Sequence, residues 1–106
     1  MNSSDRISTR VSFQNGRWID SNRVAIPIGD AAVTQAVTAV ERMRAYRGRL
    51  FRRELHLERF ERTVKALAID GLPNRVGMLQ QIDELIERNS DWIIEQDDFG
   101  VVVIAS

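Results

Sequence analysis

Cysteine is missing from the 106 residues, which removes disulfides, thiolate nucleophiles and cysteine-based zinc or iron–sulfur sites together. Lysine is nearly missing: Lys65 stands alone, so amine chemistry has a single candidate inside the chain. Histidine is limited to His56, and no histidine–carboxylate cluster has the spacing of metal ligands, so no metal site is expected. There is no glycine-rich phosphate loop and no Gly-x-Ser-x-Gly elbow. No apolar run approaches the roughly 20 residues that span a bilayer. Residues 1–9 lack the apolar centre of a secretory signal, and the expectation is a soluble, cytoplasmic protein without a membrane partner. A surplus of charge is lacking as well. Lysine plus arginine and aspartate plus glutamate balance at 15 each, so no global field draws the chain toward nucleic acid.

What is present suffices for one domain. An apolar fraction of 43% supports a single modest core over residues 10–106, preceded by a polar, flexible leader at 1–9. Charge is balanced in total but not in place. Arg42, Arg44, Arg47, Arg49, Arg52, Arg53 and Arg59 crowd the middle, whereas Asp83, Glu84, Glu87, Asp91, Glu95, Asp97 and Asp98 weight the last quarter. An anionic ligand is expected to meet the central third.

Pattern along the chain predicts strands first, then helices, then a strand. Val11, Ser12 and Phe13 run into Asn15 and Gly16, the pair suited to the positive φ angles of a type I′ hairpin, and Trp18 and Ile19 follow. Ser21 and Asn22 predict a tight reversal before a strand over 23–28, in which Pro27 marks an end or an edge. Gly29 and Asp30 open a loop. Over 37–46 the period is two: Val37, Ala39, Glu41, Met43 and Ala45 share one face, and Thr38, Val40, Arg42, Arg44 and Tyr46 share the other. Arg47 and Gly48 supply a turn, and Arg49, Leu50 and Phe51 return as the paired strand.

Residues 54–69 switch to helical spacing, with Leu57, Phe60, Val64 and Leu67 as the apolar stripe and Gly71 and Pro73 as the stop. A second helix is predicted from about Asn74 to Asn89 and Ser90. It buries Val76, Leu79, Ile82 and Leu85 or Ile86, and Gly77 weakens its first turn. Trp92 to Ile94 reads as extended. Phe99 to Ala105 reads as an apolar strand buried on both sides, and a chain stopping inside such a strand reads as cut. The order implies an α+β domain, with two helices packed on one face of a mainly antiparallel sheet.

Several of these features occur together in one known family. The Asn15–Gly16 hairpin, the extended run to Asp30, the strand carrying Glu41 and Arg44, the turn at Tyr46 and Gly48, Leu50 and Phe51, and the motif His56–Leu57–Glu58–Arg59–Phe60 resemble the start of class IV pyridoxal-phosphate aminotransferases. The likeness is to the N-terminal small domain of that family, which includes branched-chain aminotransferases, D-amino-acid aminotransferases and aminodeoxychorismate lyases. It implies amino-group transfer on an amino acid and 2-oxo acid, with branched-chain amino acids favoured. It also implies pyridoxal 5′-phosphate as cofactor and a homodimeric enzyme.

By the same resemblance, Arg59 is the arginine that binds the cofactor phosphate, a task for which the paired donors of a guanidinium are suited. Its plainer reading is a solvated helix arginine paired with Glu58 or Glu61. Val40, Arg42 and Arg44 match positions on the substrate side, with Arg44 oriented to a substrate carboxylate; for Arg42 an exposed sheet face tolerant of arginine is an equal reading. Where the family carries Gly-Asp-Gly-x-Phe-Glu, this chain has Ala36–Val37–Thr38–Ala39–Val40–Glu41, keeping only the glutamate.

In the family the lysine that bonds the cofactor belongs to a following, larger domain. Lys65, one turn after Glu61, reads as an i to i+4 ion pair on the helix surface. His56 reads as helix-start packing or a backbone hydrogen bond, and Met43 and Met78 as core. No catalytic residue is assigned within the chain. The expected whole is an enzyme whose lysine-bearing large domain lies outside these residues; the alternative is a truncated or degenerate homologue serving as a non-catalytic binding module.

Overall fold

The computed structural model describes residues 10–106, so the expected leader at 1–9 lies outside the described residues. β1 (Val11–Gln14) and β2 (Arg17–Asp20) form the first hairpin, with Phe13 opposite Trp18 and Gln14 opposite Arg17. Asn15 at φ 51° and Gly16 at φ 83° supply the left-handed pair that a two-residue connection needs. A short 3₁₀ turn (Ser21–Arg23) follows, capped by the Asp20 carboxylate on the Asn22 N–H.

The expected strand over 23–28 does not form. Val24 is extended, yet no strand among the described residues pairs with this segment, and its apolar side chains Val24, Ile26 and Ile28 are exposed. Extended backbone without a ladder partner is not a strand. The loop expected after Gly29 also contains a short helix, α1 (Ala31–Thr34), which starts because the Asp30 carboxylate accepts the Ala32 N–H at 2.8 Å.

β3 (Ala39–Tyr46) is the central strand of a three-stranded antiparallel sheet in the order β4–β3–β5. Burial alternates along it as period two requires: Ala39, Glu41, Met43 and Ala45 are buried, whereas Val40, Arg42, Arg44 and Tyr46 are exposed. Arg47 and Gly48, both left-handed, turn it into the brief β4 (Arg49–Leu50). Phe51 lies just beyond β4, although its N–H still reaches the Arg44 carbonyl at 2.8 Å.

α2 (Arg53–Ala66) buries Leu57 and Phe60 against the inner face of β3. Leu67 leaves the expected stripe because the helix has ended: it is the C-cap and is 39% exposed. The stop comes from Ala68, not from Gly71. Ala68 adopts φ 55°, its N–H reaches the Lys65 carbonyl, and the Ile69 N–H reaches the Val64 carbonyl, which together make a Schellman closure.

α3 (Arg75–Arg88) starts at Asn74, whose side chain accepts the Gly77 N–H at 2.9 Å. Its buried stripe runs through Met78 and Ile82, with Leu79, Leu85 and Ile86 partly covered; Val76 faces solvent in the first turn. The segment at Trp92 is helical, not extended, as α4 (Ser90–Ile93).

β5 (Phe99–Ala105) pairs along β3 from Ala45–Phe99 to Ala39–Ala105. Only one of its faces is covered. Phe99, Val101 and Ala105 join the core, whereas Val102 and Ile104 are exposed, so burial on both sides is overturned. The α2 and α3 helices lie on one side of the sheet, while Val40, Arg42, Arg44, Val102 and Ile104 are exposed on the other. Met43, Leu57 and Phe60 have 0–1% exposure and form the centre of the core, each contributing about 1.5–3 kcal/mol by burial.

One amide makes three of the hydrogen bonds that tie the first hairpin to this body and order the end of α3. Asn89, 8% exposed, accepts the Val11 N–H at 2.8 Å and donates to the Val11 carbonyl at 3.0 Å and the Leu85 carbonyl at 2.8 Å. The Arg88 guanidinium also sits 4.5 Å above the Trp18 ring. A cleft of about 650 Å³ separates the hairpin from β5, lined by Phe13, Gly16, Leu72, Ile82, Val102 and Ile104 among others.

Candidate functional site

One acid breaks the apolar inner face of β3. Glu41 is 5% exposed between Ala39 and Met43, and a carboxylate there requires compensation. α2 supplies it. His56 Nδ1 lies 2.8 Å from Oε1, Arg59 Nε lies 3.0 and 3.2 Å from the two oxygens, and Arg59 Nη2 also donates to Oε1. His56 and Arg59 are three residues apart, hence adjacent on the helix face that crosses β3.

Hydrogen bonding from Arg59 holds the Glu41 carboxyl below its usual range, outweighing the opposing effect of burial, with His56 adding to the lowering. The Arg59 guanidinium is raised for the reciprocal reason. An ionised carboxylate only accepts, so His56 carries its donor proton on Nδ1. The buried acid thus fixes both the rotamer of the arginine and the tautomer of the histidine.

Arg59 is not consumed by this contact. Its side chain is 61% exposed, and a guanidinium has five N–H donors, so donors on the side away from Glu41 remain available. They border a shallow concavity of about 320 Å³ lined by Arg52, Leu55, His56, Glu58, Arg59 and Arg62. Glu58 and Arg62 pair loosely at 3.6 Å. Arg52 enters α2 at φ 54°, with its guanidinium 5.1 Å from the Phe51 ring centre. The rim is cationic, and its best-held member is Arg59.

The expected pairing of Arg59 with Glu58 or Glu61 is not the one found: the partner is Glu41, on another element. Glu61 is taken by Arg75 of α3 at 2.7 and 3.1 Å, not by Lys65. The histidine binds a carboxylate as well as helix backbone, where only packing or a backbone bond was expected.

Val40, Arg42 and Arg44 are brought together on the open face of the sheet, opposite the side on which Glu41 holds Arg59. Across the ladder Val40 faces Ile104, Arg42 faces Val102 and Arg44 faces Gly100. Arg44 is paired with Asp98 at 2.8 Å, with both groups exposed. β4 covers only Ala45 and Tyr46, so the edge of β3 around Val40 and Arg42 borders no strand among the described residues. Lys65 is not among the residues lining the concavity. No group of three or more histidine, cysteine, aspartate or glutamate side chains among the described residues has the geometry to hold a metal. Among them, too, no helix is long and apolar enough to cross a membrane.

Ala36 stands at φ 56°, a conformation that glycine adopts without a Cβ clash. Glu41 is the residue whose role pattern reading missed. Its signal was present, because it is the one acid on the otherwise apolar face shared by Ala39, Met43 and Ala45.

Comparison with known proteins adds two findings. The family described as amino-transferase class IV matches residues 38–104, from the residue before β3 to the penultimate residue of β5. The aminodeoxychorismate lyase of Bacillus subtilis (strain 168) is 27% identical over 77 residues, covering 73% of this chain and 26% of that protein. The chain therefore spans about a quarter of the length of this curated relative.

Proposed function

This chain belongs to the class IV aminotransferase family, and from that premise we propose that it supplies the phosphate-gripping side of a pyridoxal 5′-phosphate site in an enzyme of amino-group chemistry. The observation that carries the reading is the outward side of Arg59, whose orientation is fixed by Glu41 and which borders a cationic concavity. The phosphate end of the cofactor fits there. A dianion needs a fixed cation with several donors, and Arg59 backed by a buried carboxylate is such a group. When bound, the cofactor supplies an electron sink for charge developing at a substrate α-carbon. The residues of this chain bind and orient; they do not provide the amine that bonds the cofactor, since Lys65 lies off the site. That amine belongs, in this reading, to a larger lysine-bearing domain, with the site completed in a homodimer.

For the substrate we propose an amino acid and 2-oxo acid of the branched-chain type. Support comes from the open sheet face, where the aliphatic pair Val40 and Ile104 stands beside Arg42 and Arg44. An aliphatic side chain and a carboxylate match that juxtaposition. A ligand joining it to Arg59 passes over the strand-free edge of β3.

The test uses pyridoxine 5′-phosphate, which has no aldehyde to react with Lys65, titrated into the full chain by calorimetry. We expect binding that Arg59→Ala weakens at least tenfold, by loss of a charge-assisted contact, and little binding of unphosphorylated pyridoxine. Equal binding of the two compounds, or an unaffected Arg59→Ala variant, refutes the reading.

A further inference from the structure

The Glu41 cluster has a charge balance that bears on what the concavity binds and when. Glu41 and Arg59 cancel. With His56 neutral the three groups together carry no net charge, although they stand at the wall of an otherwise cationic hollow. Because His56 Nδ1 is committed to Glu41, its remaining nitrogen, Nε2, is the free polar atom of the ring, and no partner for it is found among the described residues. His56 itself lines the concavity next to Arg59. In the neutral ring that nitrogen is a lone pair, which repels an anion; in the protonated ring it is an N–H, which binds one.

We infer that His56 Nε2 and the outward donors of Arg59 form a two-point grip on a tetrahedral dianion, and that binding of the anion is coupled to uptake of one proton by His56. The inference rests on the phosphate-site reading above and adds to it a second ligand and a dependence on pH. The proton adds to Nε2 while Nδ1 keeps its own, so the hydrogen bond to Glu41 is retained and gains charge assistance. The cluster then carries one positive charge, facing the anion.

Charged groups from two elements face His56. Glu41 comes from β3; Arg52, Glu58, Arg59 and Arg62 come from α2 itself. The attraction between a bound anion and a protonated imidazole is the source of the coupling. An anion within about 4–6 Å favours a protonated histidine by a factor of ten or more, and linkage requires the protonated form to favour the anion by the same factor.

The probe is sulfate, which remains a dianion across the range in which imidazole changes charge. It is titrated calorimetrically into the full chain at pH 5.5 and pH 8.0 at matched ionic strength. Wild type is expected to bind at least tenfold more tightly at pH 5.5. His56→Asn keeps an N–H donor for Glu41 but takes up no proton, and is expected to bind with the weaker, pH 8.0 affinity at both values. A second measurement needs no variant: near neutrality, wild-type binding heats in buffers of different ionisation enthalpy should differ by the amount expected for proton uptake.

Equal wild-type affinity at the two pH values, heats independent of buffer, or a His56→Asn variant that retains the full pH dependence each overturns the inference. If sulfate still binds in those cases and Arg59→Ala abolishes it, the phosphate site stands and only the role of His56 falls. If sulfate fails to bind at either pH, or binds Arg59→Ala as well as wild type, both readings fall.

Discussion

Arg59→Ala should cost this protein stability as well as anion binding, with a pH signature that identifies the cause. The side chain makes three contacts to the Glu41 carboxylate, which is left with His56 alone when they are removed. Breaking a buried ion pair from one side costs about 3–5 kcal/mol. Here the arginine is 61% exposed and its attraction is partly screened, which places the expected loss at pH 7 below that range.

The sign of the pH effect follows from Glu41. Its folded-state pKa is lowered from an unfolded value of 4.5, first by hydrogen bonding from Arg59. Its contribution is therefore fully present above about pH 4.5 and is lost as pH falls through the lower folded value. Without Arg59 the burial of the carboxyl is opposed only by His56, and its pKa rises. The stability gap between wild type and variant should be flat from pH 8 to 6 and should narrow below pH 5. Urea denaturation at pH 4, 5, 6, 7 and 8 measures it. Adding Glu41→Gln to Arg59→Ala should recover part of the loss at pH 7, since an uncharged amide is less costly to bury. A gap under about 0.5 kcal/mol at pH 7, the size of an ordinary surface substitution, or one that persists unchanged to pH 4, refutes this account of the cluster.

Two further outcomes follow from backbone and polar geometry. Ala68→Gly, at φ 55° in the α2 closure, should raise stability by about 1 kcal/mol by relieving the left-handed strain of a Cβ, read as an increased urea midpoint with unchanged slope; a lowered midpoint counts against the closure described. Asn89→Ala should destabilise by about 1–3 kcal/mol by leaving the Val11 N–H and carbonyl without their buried partner. It should also speed amide exchange across Val11–Asp20 more than across β3, and uniform acceleration throughout the chain would contradict the role given to Asn89 in holding the hairpin.

The parts of the fold that pattern made legible were those governed by short-range rules. Asn15 with Gly16 and Arg47 with Gly48 set two hairpin turns, and alternation placed every side chain of β3 on its observed face. The α+β class and the packing of α2 and α3 on one face followed from the change of period. The errors arose where a distant partner decides the outcome. Residues 24–28 have strand-like composition and no neighbour to pair with; β5 is apolar on both faces but is covered on one; Trp92 is helical because α4 continues from Asn89. At the site, motif spacing singled out Arg59, but its partner lies 18 residues away on another element. Helical neighbours such as Glu58 are visible in sequence, whereas an acid presented by a crossing strand is visible only as an anomaly on an apolar face. The same limit separated Arg59 from Arg42 and Arg44, which sequence groups by charge and the sheet divides between its two faces.

The cleft beside β5 bears on how the protein behaves in a crowded solution. In this antiparallel ladder the strand directs alternate peptide groups away from β3, and Val102 and Ile104 stand beside that open rim. Such a rim invites edge-to-edge pairing of sheets, and the β1–β2 hairpin stands across the cleft from it. The hairpin is held there through Asn89 and the Arg88–Trp18 contact and shares no ladder with β5, so a local opening of the hairpin would widen access to the rim before the core is disturbed.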